Sequence, residues 1–503
     1  ANNQFKNIIS ELTNKNHISI NQIDTKKHDL LMYWDKISYE FHLGKITIGI
    51  KLSRKNYLRT KNFIESIICK LFSFDLKPNE NKKIILFVGF NPLQYSELFK
   101  NLQNYEGIVS FLNYKRPAIW NIDSVNFFRK TNCKLIRIEN FLNASDKKLI
   151  SHLVIDYLEK LERLWDDNHL KNKFTVEGIT IWPFIKEILI KTFRKRIYEY
   201  IPLILSSKKI LAKTNVSCIV TLGLFAESEK AILNLNNNNK PSILLEHGFT
   251  NYLPEISRFD ITSGLSIFKD KIAVWGNIQK QYLVNVLKIP EKKILVVGSP
   301  RHDKFFREII STKKDSVRTV LIIPGIFAPS NAQFSTFSYL RLENLLKRTF
   351  KIFESFKNVK LIVKLHPSQY IETEYIKKLI NQLNPNIVIY HTEPIQKILE
   401  DCDTVLNIHT EVLPSTAVLD ALVMGKPIMN ISLVDENYNF QFIKDNAVMQ
   451  VTYKSDLEKN LKTILYDNDF RKELIQNGQK HLDRYLLNHG NASEYFAKIL
   501  NSL

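Results

Sequence analysis

The 503-residue chain lacks several features that define common protein classes. Its four cysteines are scattered without the spacing of metal ligands, which excludes a zinc finger or a disulfide framework and indicates reduced core residues. No apolar run reaches the ~18 residues that a membrane-spanning helix needs, and the polar, charged first thirty residues predict no secretory signal peptide. These absences predict a cytoplasmic protein.

Glycine is also scarce, and its 14 occurrences form neither a G-x-G-x-x-G fingerprint nor a Walker loop. Kinases of the Walker type and dinucleotide oxidoreductases are therefore disfavoured. The sequence contains no H-E-x-x-H metalloprotease motif and no G-x-S-x-G hydrolase elbow.

Acidic residues are outnumbered, with 51 Asp plus Glu against 71 Lys plus Arg, and the formal net charge is +20. An anionic membrane face, an anionic small substrate or nucleic acid would each match such a surface. The chain has no helix-turn-helix, zinc-finger or RNA-binding motif, so we expect no nucleic-acid partner. A general drift of the composition toward Lys, Asn and Ile explains the charge equally well.

What the chain does contain is a repeated alternation of short apolar strands with longer helical segments. This pattern predicts parallel sheets with right-handed crossovers. The fold class is predicted to be α/β, with two tandem doubly wound, Rossmann-like domains facing across a cleft. We expect a first domain over 1–310 with a helical insertion around 145–212, a second domain over 311–485, and a helix over 486–503 that crosses back to the first domain.

Polar residues follow two strands in the second predicted domain. One apolar run, Val359–Lys364, ends at His366 and Pro367, and an earlier strand ends before Gly325. Ligands bind at the carboxyl ends of strands in open parallel sheets. The histidine can donate a hydrogen bond to a phosphate, and the glycine turn can pass close to a phosphate or base. A histidine that is merely satisfied within a loop is the simpler alternative.

A third polar loop in this domain leads into a predicted helix. Thr410 and Glu411 follow a buried strand, and Ser415 and Thr416 open the helix. Its unpaired N–H groups and positive dipole end make a site for a phosphate, and Asp420, one turn further on, can accept ribose hydroxyls. A capped core helix without a ligand explains the same residues.

The first predicted domain offers a candidate general base. The strand PSILLEHG ends in Glu246, His247 and Gly248, which leaves a carboxylate and an imidazole at a sheet edge. The glycine lets the backbone turn tightly. The alternative is a strand-to-loop turn with exposed polar residues.

Together these segments resemble a known group of enzymes. The resemblance is carried by EHG (246–248), VWGN (274–277), VVGSPRHD (296–303), KLHP (364–367) and PSTAVLDALVMGKP (414–427). The combination resembles bacterial GT-B glycosyltransferases of surface and capsular polysaccharide biosynthesis that carry an HP motif and a Ser/Thr motif. It is also similar to the CDP-glycerol glycerophosphotransferases of teichoic acid synthesis.

The resemblance implies roles for the candidate residues. His366, Ser415 and Thr416 would hold the phosphates of the nucleotide, and Asp420 takes the place of a glutamate that often binds ribose. The sequence departs from these families in two ways. Ser415-Thr416 replaces a run of serines, and Glu-His-Gly replaces the two acidic residues or the Gln-His-Gly of the relatives, which leaves the donor and the base open.

The implied reaction is the transfer of a sugar from a CMP-, UDP- or GDP-activated donor to a glycan or lipid-linked acceptor. His247 or Glu246 would deprotonate the acceptor hydroxyl. No metal or cofactor is expected, because a helix dipole and hydrogen-bond donors can hold the leaving phosphate. The enzyme would work in the cytoplasm, with peripheral contact at the inner face of an anionic membrane.

Three other functions stay open at this stage. A phosphotransferase that uses a CDP-polyol would have the same fold. A nucleotide-sugar epimerase-like enzyme shares the tandem sheets and the GKP segment. A non-catalytic glycan-binding protein with a degenerate cleft needs none of the proposed chemistry.

Overall fold

The structure is a computed structural model, and the residues that it describes are 36–43, 46–176, 178–224, 226–236, 240–248, 252, 265–307, 317–325, 336–366, 371–391, 393–409, 415–433, 435 and 440–503. In chain order, the strands of these described residues are β1 (Lys36–Leu43), β2 (Ile46–Ser53), β3 (Glu80–Val88), β4 (Ile108–Leu112), β5 (Lys134–Leu135), β6 (Thr175–Val176), β7 (Ile179–Thr180), β8 (Thr214–Thr221), β9 (Ser242–Leu245), β10 (Lys271–Val274), β11 (Ile294–Val296), β12 (Arg318–Ile323), β13 (Val359–Lys364), β14 (Val388–Tyr390), β15 (Thr404–His409), β16 (Ile428–Ser432) and β17 (Met449–Thr452).

The α-helices are, over the same described ranges, α1 (Arg54–Phe72), α2 (Ser96–Asn101), α3 (Ile122–Thr131), α4 (Ala144–Asp166), α5 (Asn168–Asn172), α6 (Trp182–Lys213), α7 (Glu227–Asn234), α8 (Asn277–Asn285), α9 (Asp303–Arg307), α10 (Thr336–Phe353), α11 (Ile371–Leu383), α12 (Ile395–Glu400), α13 (Thr416–Val423), α14 (Gln441–Lys444), α15 (Leu457–Tyr466), α16 (Asn468–Tyr485) and α17 (Ala492–Asn501). Within the described part of the chain, no helix has both the length and the apolar character needed to cross a bilayer.

The first large sheet has seven parallel strands in the order β11-β10-β9-β8-β3-β4-β5. The internal strand β3 is buried along its carboxyl half, from Ile84 to Val88. A strand with apolar side chains on both faces requires a covering layer on each side. One layer is a cluster of edge-to-face aromatic rings around Phe87, Phe99 and Phe111, and the other packs around Ile84 and Leu86.

The second large sheet has six parallel strands in the order β14-β13-β12-β15-β16-β17. In both sheets the strand that comes first in the chain is an internal one, and the chain winds outward on one side before it crosses to the other side. Such a reversal opens a crevice beyond the carboxyl ends of the two strands where the order changes. The crevices lie at β3 and β8 in the first sheet and at β12 and β15 in the second.

The predicted fold class is confirmed, since the two sheets form two doubly wound, Rossmann-like α/β domains. Strands of the first sheet come from residues 80–296 and those of the second from 318–452. The predicted boundary between residues 310 and 311 lies outside the described residues. Preceding the first sheet, the antiparallel hairpin β1–β2 leads directly into α1.

The predicted helical insertion around 145–212 is helical in most of its length but is interrupted by the hairpin β6–β7. Gly178 stands in this turn with φ of +83°, a conformation that glycine adopts without steric strain. The turn lets Phe174 stack near Trp182, with ring centroids 5.2 Å apart. The hairpin divides this mostly helical segment into the two long helices α4 and α6.

The end of the chain packs against the first domain. After α16, the amide of Leu487 donates to the carbonyl oxygen of Trp275 at 2.8 Å. The carboxylate of Asp303 then accepts from the amides of Ala492 and Ser493 at 3.1 and 2.6 Å, which satisfies the amino end of α17. Helix α17 lies on α2 of the first domain.

Candidate active site

The carboxyl ends of the two sheets meet at the junction of the two domains. A Cβ atom built on Gly248, in the loop after β9, would lie 3.8 Å from Oγ1 of Thr416 at the start of α13. Arg301 spans the same junction, because its guanidinium donates to the carbonyl oxygen of His247 at 3.4 Å and to the carboxylate of Asp420 at 3.3 Å. The structure therefore brings the loop of the candidate base next to the predicted phosphate-binding helix.

Glu246 lies behind the wall of this cleft, with 7% of its surface exposed. One carboxylate oxygen accepts from the amide of Trp275 at 2.8 Å, and the other accepts from the hydroxyl of Tyr252. Burial raises the pKa of Glu246 to about 8 against the lowering effect of these donors. These contacts tie the carboxyl of Glu246 to the neighbouring loops, and its role as a candidate base stays a prediction.

His247, the other candidate base, is exposed at the cleft. Its ring hydrogen-bonds to the backbone of Leu222, which orients the imidazole. Desolvation by the surrounding protein lowers the pKa of His247, and the positive charges of Arg116 and Arg301 lower it further. Water reaches the exposed side of the ring and offsets part of this desolvation. The imidazole is therefore neutral at pH 7 and able to accept a proton.

Asp420 is 2% exposed and belongs to an ion cluster between the domains. Its carboxylate accepts from Arg301 and lies 2.9 Å from Nε2 of His302, whose Nδ1 lies 2.6 Å from Oγ of Ser299. Burial acts to raise the pKa of Asp420, but Arg301 and His302 outweigh it and lower the pKa. The carboxylate is thus paired with two groups of the first domain, and the predicted ribose contact stays a prediction.

His366 follows β13 at the carboxyl edge of the second sheet and is exposed. Below it, the buried Nζ of Lys364 donates to the carbonyl oxygens of Leu365 and His391 at 2.6 and 2.8 Å, which ties the ends of β13 and β14 together. Desolvation lowers the pKa of His366, and Lys364, Arg116 and His391 lower it further. The neutral ring retains one N–H donor, which suits it to a phosphate oxygen.

Helix α13 begins beside this edge. Ser415 is its N-cap, and Oγ of Ser415 accepts from the amide of Ala417 at 3.3 Å. Thr416 is the first helical residue and the one nearest Gly248 of the first domain. The Ser415 hydroxyl thus serves the helix itself, and Thr416 presents the group that faces the opposite domain.

The remaining predicted residues divide into two groups. Gly325 follows the central strand β12, which is paired with both β13 and β15, so it lies at the crevice of the second sheet. Pro367, Thr410 and Glu411 lie outside the described residues. Their predicted contribution to nucleotide binding stays a prediction.

Two further residues of the cleft were not identified from the sequence. Arg116 follows β4 and lies within electrostatic reach of both His247 and His366, since it lowers the pKa of each. The buried Glu229 lies near Gly89, where a Cβ atom would come within 3.1 Å of its Oε1, and burial raises its pKa to about 7. A basic pair, Lys115-Arg116, directly after a buried strand was the available signal for the arginine.

Among the residues whose placement is described, no group of three or more His, Cys, Asp or Glu side chains is arranged to hold a metal ion. The two Asp-x-Asp triplets of the sequence lie away from the cleft. Asp403 accepts from the amide of Thr319 at the amino end of β12, and Asp467 caps the amino end of α16. Both carboxylates therefore have structural partners.

Comparisons with known proteins give similarity of structure without similarity of sequence. No protein-family profile matches the chain, and no curated protein matches it. The UDP-GlcNAc 2-epimerase from Neisseria meningitidis bound to UDP-GlcNAc is 13% identical with a TM-score of 0.47, and the match covers 84% of this chain and 100% of that one.

Two further solved structures give similar values. A glycosyltransferase from Rickettsia africae is 14% identical with a TM-score of 0.44, and the match covers 84% of this chain and 98% of that chain. The wall teichoic acid polymerase TagF is 10% identical with a TM-score of 0.46, and the match covers 89% of this chain and 97% of that chain.

Proposed function

We propose that this protein is a metal-independent glycosyltransferase that moves a sugar from a nucleotide-activated donor to a glycan or lipid-linked acceptor in surface polysaccharide biosynthesis. The observation that supports the proposal most directly is the close approach of the two domains at Gly248 and Thr416, which brings the loop of His247 next to the start of α13. A base on one domain and a phosphate site on the other are the two parts that such a transfer requires.

The proposed reaction divides the work between the domains. The acceptor hydroxyl gives its proton to His247 as its oxygen attacks the anomeric carbon of the donor. The bond between that carbon and the phosphate oxygen breaks, and the nucleotide leaves with the bonding electrons. Hydrogen bonds from His366 and the amino end of α13, together with the charge of Arg116, stabilise the leaving phosphate.

The test begins with a panel of CMP, CDP, UDP and GDP in thermal unfolding of the purified protein. A nucleotide present at a concentration of 100 times its Kd stabilises the folded protein by about 2.7 kcal/mol, so one member of the panel should raise Tm clearly. The matching nucleotide sugars are then assayed for nucleotide release with a glycan acceptor. Sugar isomerisation without an acceptor, or glycan binding without any nucleotide response, would contradict the proposal.

Substitutions separate the two parts of the site. The variant His366→Ala should bind the nucleotide at least about tenfold more weakly, since a charge-assisted hydrogen bond is worth about 1.5–3 kcal/mol. By contrast, His247→Ala should bind the nucleotide normally and lose at least about a hundredfold in turnover. His152→Ala, an exposed histidine on α4, is the control. Wild-type turnover in both cleft variants would refute the assignment.

A further inference from the structure

One face of α1 is apolar and exposed. Its side chains Phe63, Ile64, Ile67 and Leu71 are 66%, 46%, 44% and 72% exposed. Positions 63, 64, 67 and 71 lie on one side of an α-helix, so these side chains form one stripe along it. A contiguous stripe of large apolar side chains on a water-soluble domain marks an interaction surface.

The opposite face of α1 is fixed to the cleft. The Nζ of Lys61 donates to the carbonyl oxygen of Asn113 at 2.8 Å and pairs with Glu65 at 3.1 Å. Glu65 in turn accepts from the amide of Ala118 at 2.8 Å. Both contacts hold α1 on the loop after β4, the loop that carries Arg116. The stripe is therefore rigidly connected to the rim of the candidate active site.

The exposed surface of α1 is also cationic. Lys55, Arg59 and Lys70 are exposed, and none of the ion pairs among the described residues involves them. Glu65 is the only acidic residue of the helix, and it is buried against Lys61. A symmetric dimer through this face would bring like charges together. An anionic surface matches both the cations and the apolar stripe.

Two more apolar side chains are exposed on the loop that α1 holds. Trp120 is 41% exposed and Ile122, at the start of α3, is 78% exposed. Tryptophan is enriched where proteins meet the interface between lipid and water. Both side chains follow Ala118, the residue whose amide Glu65 of α1 holds, so they add exposed apolar surface close to this anchor.

We propose that the outer face of α1, with Phe63, Ile67 and Leu71 inserted among the lipids and Lys55, Arg59 and Lys70 on the headgroups, docks this protein on an anionic membrane surface. Docking through α1 would hold the rim of the cleft close to the bilayer. The idea that a lipid-linked acceptor enters from this side rests on the proposed function, whereas docking itself does not.

The experiment is co-sedimentation of the full chain with vesicles of phosphatidylcholine alone and of phosphatidylcholine mixed with phosphatidylglycerol. We expect binding to the mixed vesicles that weakens as salt is added, and much less binding to the neutral ones. Failure of the wild-type protein to bind the anionic vesicles would overturn the proposal, and so would equal binding to both kinds at every salt concentration.

Variants locate the surface. The double change Phe63→Ser and Leu71→Ser should reduce vesicle binding at least tenfold, and Lys55→Ser with Lys70→Ser should reduce it and flatten its salt dependence. The control is Leu340→Ser, which removes a half-exposed leucine from α10 of the second domain. All of these residues are exposed, so circular dichroism and Tm should match the wild type.

Two outcomes of these experiments would contradict membrane docking through α1. Vesicle binding that survives the double change would show that other residues dock the protein. A wild-type dimer in light scattering that becomes monomeric on the double change would identify the stripe as a self-association surface instead. Nucleotide-induced stabilisation is measured in parallel, and because it does not involve α1, its loss or retention tests the proposed function separately.

Discussion

Single side chains determine the charge state of the cleft. His247 and His366 come from different domains, yet their pKa values are lowered by the same cation, Arg116. A neutral imidazole is a proton acceptor, and it still offers one N–H donor. The same electrostatic setting therefore suits His247 to act as a base and His366 to act as a hydrogen-bond donor.

The pH dependence of turnover should reveal the lowered pKa of His247. If His247 must be neutral, the saturated rate falls as pH drops through its pKa, which lies below the ordinary value of 6.5. Arg116→Gln removes a nearby positive charge, so the acidic limb of the profile should move to higher pH. Arg163→Gln, on the exposed side of α4, should leave it unchanged. An acidic limb that is identical in both variants contradicts the role of Arg116.

Glu246 gives a second prediction, on stability. Its pKa is raised from 4.5 to about 8 by burial, so the folded protein binds more protons than the unfolded chain between these values. Stability should therefore fall with rising pH across this window, by up to about 1.4 kcal/mol per pH unit. Glu246→Gln should remove this loss. Unfolding measured at pH 5 and pH 8 checks it, with the exposed Glu162→Gln as control.

At the scale of elements, the connection back to the first domain depends on two glycines at strand ends. A Cβ atom on Gly276 would come within 2.4 Å of the carbonyl oxygen of Tyr485, and one on Gly298 within 2.1 Å of that of Leu487. The segment between α16 and α17 can lie against the first sheet only because these side chains are absent.

Alanine substitution tests this packing. Gly298 and Gly178 both have φ of +83°, but nothing lies within 4 Å of a Cβ on Gly178. Each alanine variant should lose roughly 1–3 kcal/mol of unfolding free energy, because alanine is strained in this backbone conformation. Gly298→Ala should lose more, and hydrogen exchange should show α17 loosened in that variant alone. Equal loss of stability in the two variants would mean that the close approach is unimportant.

Most elements were predictable from the sequence, because apolar runs alternate regularly with helical segments. The strand Val359–Lys364 has its predicted bounds. The hairpin β6–β7 was missed, since two-residue strands carry too little periodicity to outweigh helical neighbours.

The site was predictable as a set of loops but not as a set of side-chain contacts. Neighbouring residues at a strand end point to opposite faces, and the sequence alone does not tell which of Glu246 and His247 faces the cleft. The partners of Asp420 were hidden for another reason. Arg301 and His302 stand more than a hundred residues away, and only the packing of the two domains brings them together.

For the whole molecule, the ion cluster around Asp420 joins the two domains. Asp420→Asn removes the charge that balances Arg301 inside a buried site, and breaking such a pair costs about 3–5 kcal/mol. The control Asp435→Asn removes an exposed carboxylate that pairs with Arg341 and Lys454 at the surface, so it should change Tm little. A Tm for Asp420→Asn as high as that of the control would show that the cluster does not hold the domains together.

The most direct test is the structure of the protein in complex with the nucleoside diphosphate that raises its Tm most. We predict that the phosphates lie within hydrogen-bond distance, about 3 Å, of His366 and the amide or hydroxyl of Thr416, and that the imidazole of His247 faces the space beyond them. A nucleotide bound away from the start of α13, or a His247 ring turned away from it, would contradict the account.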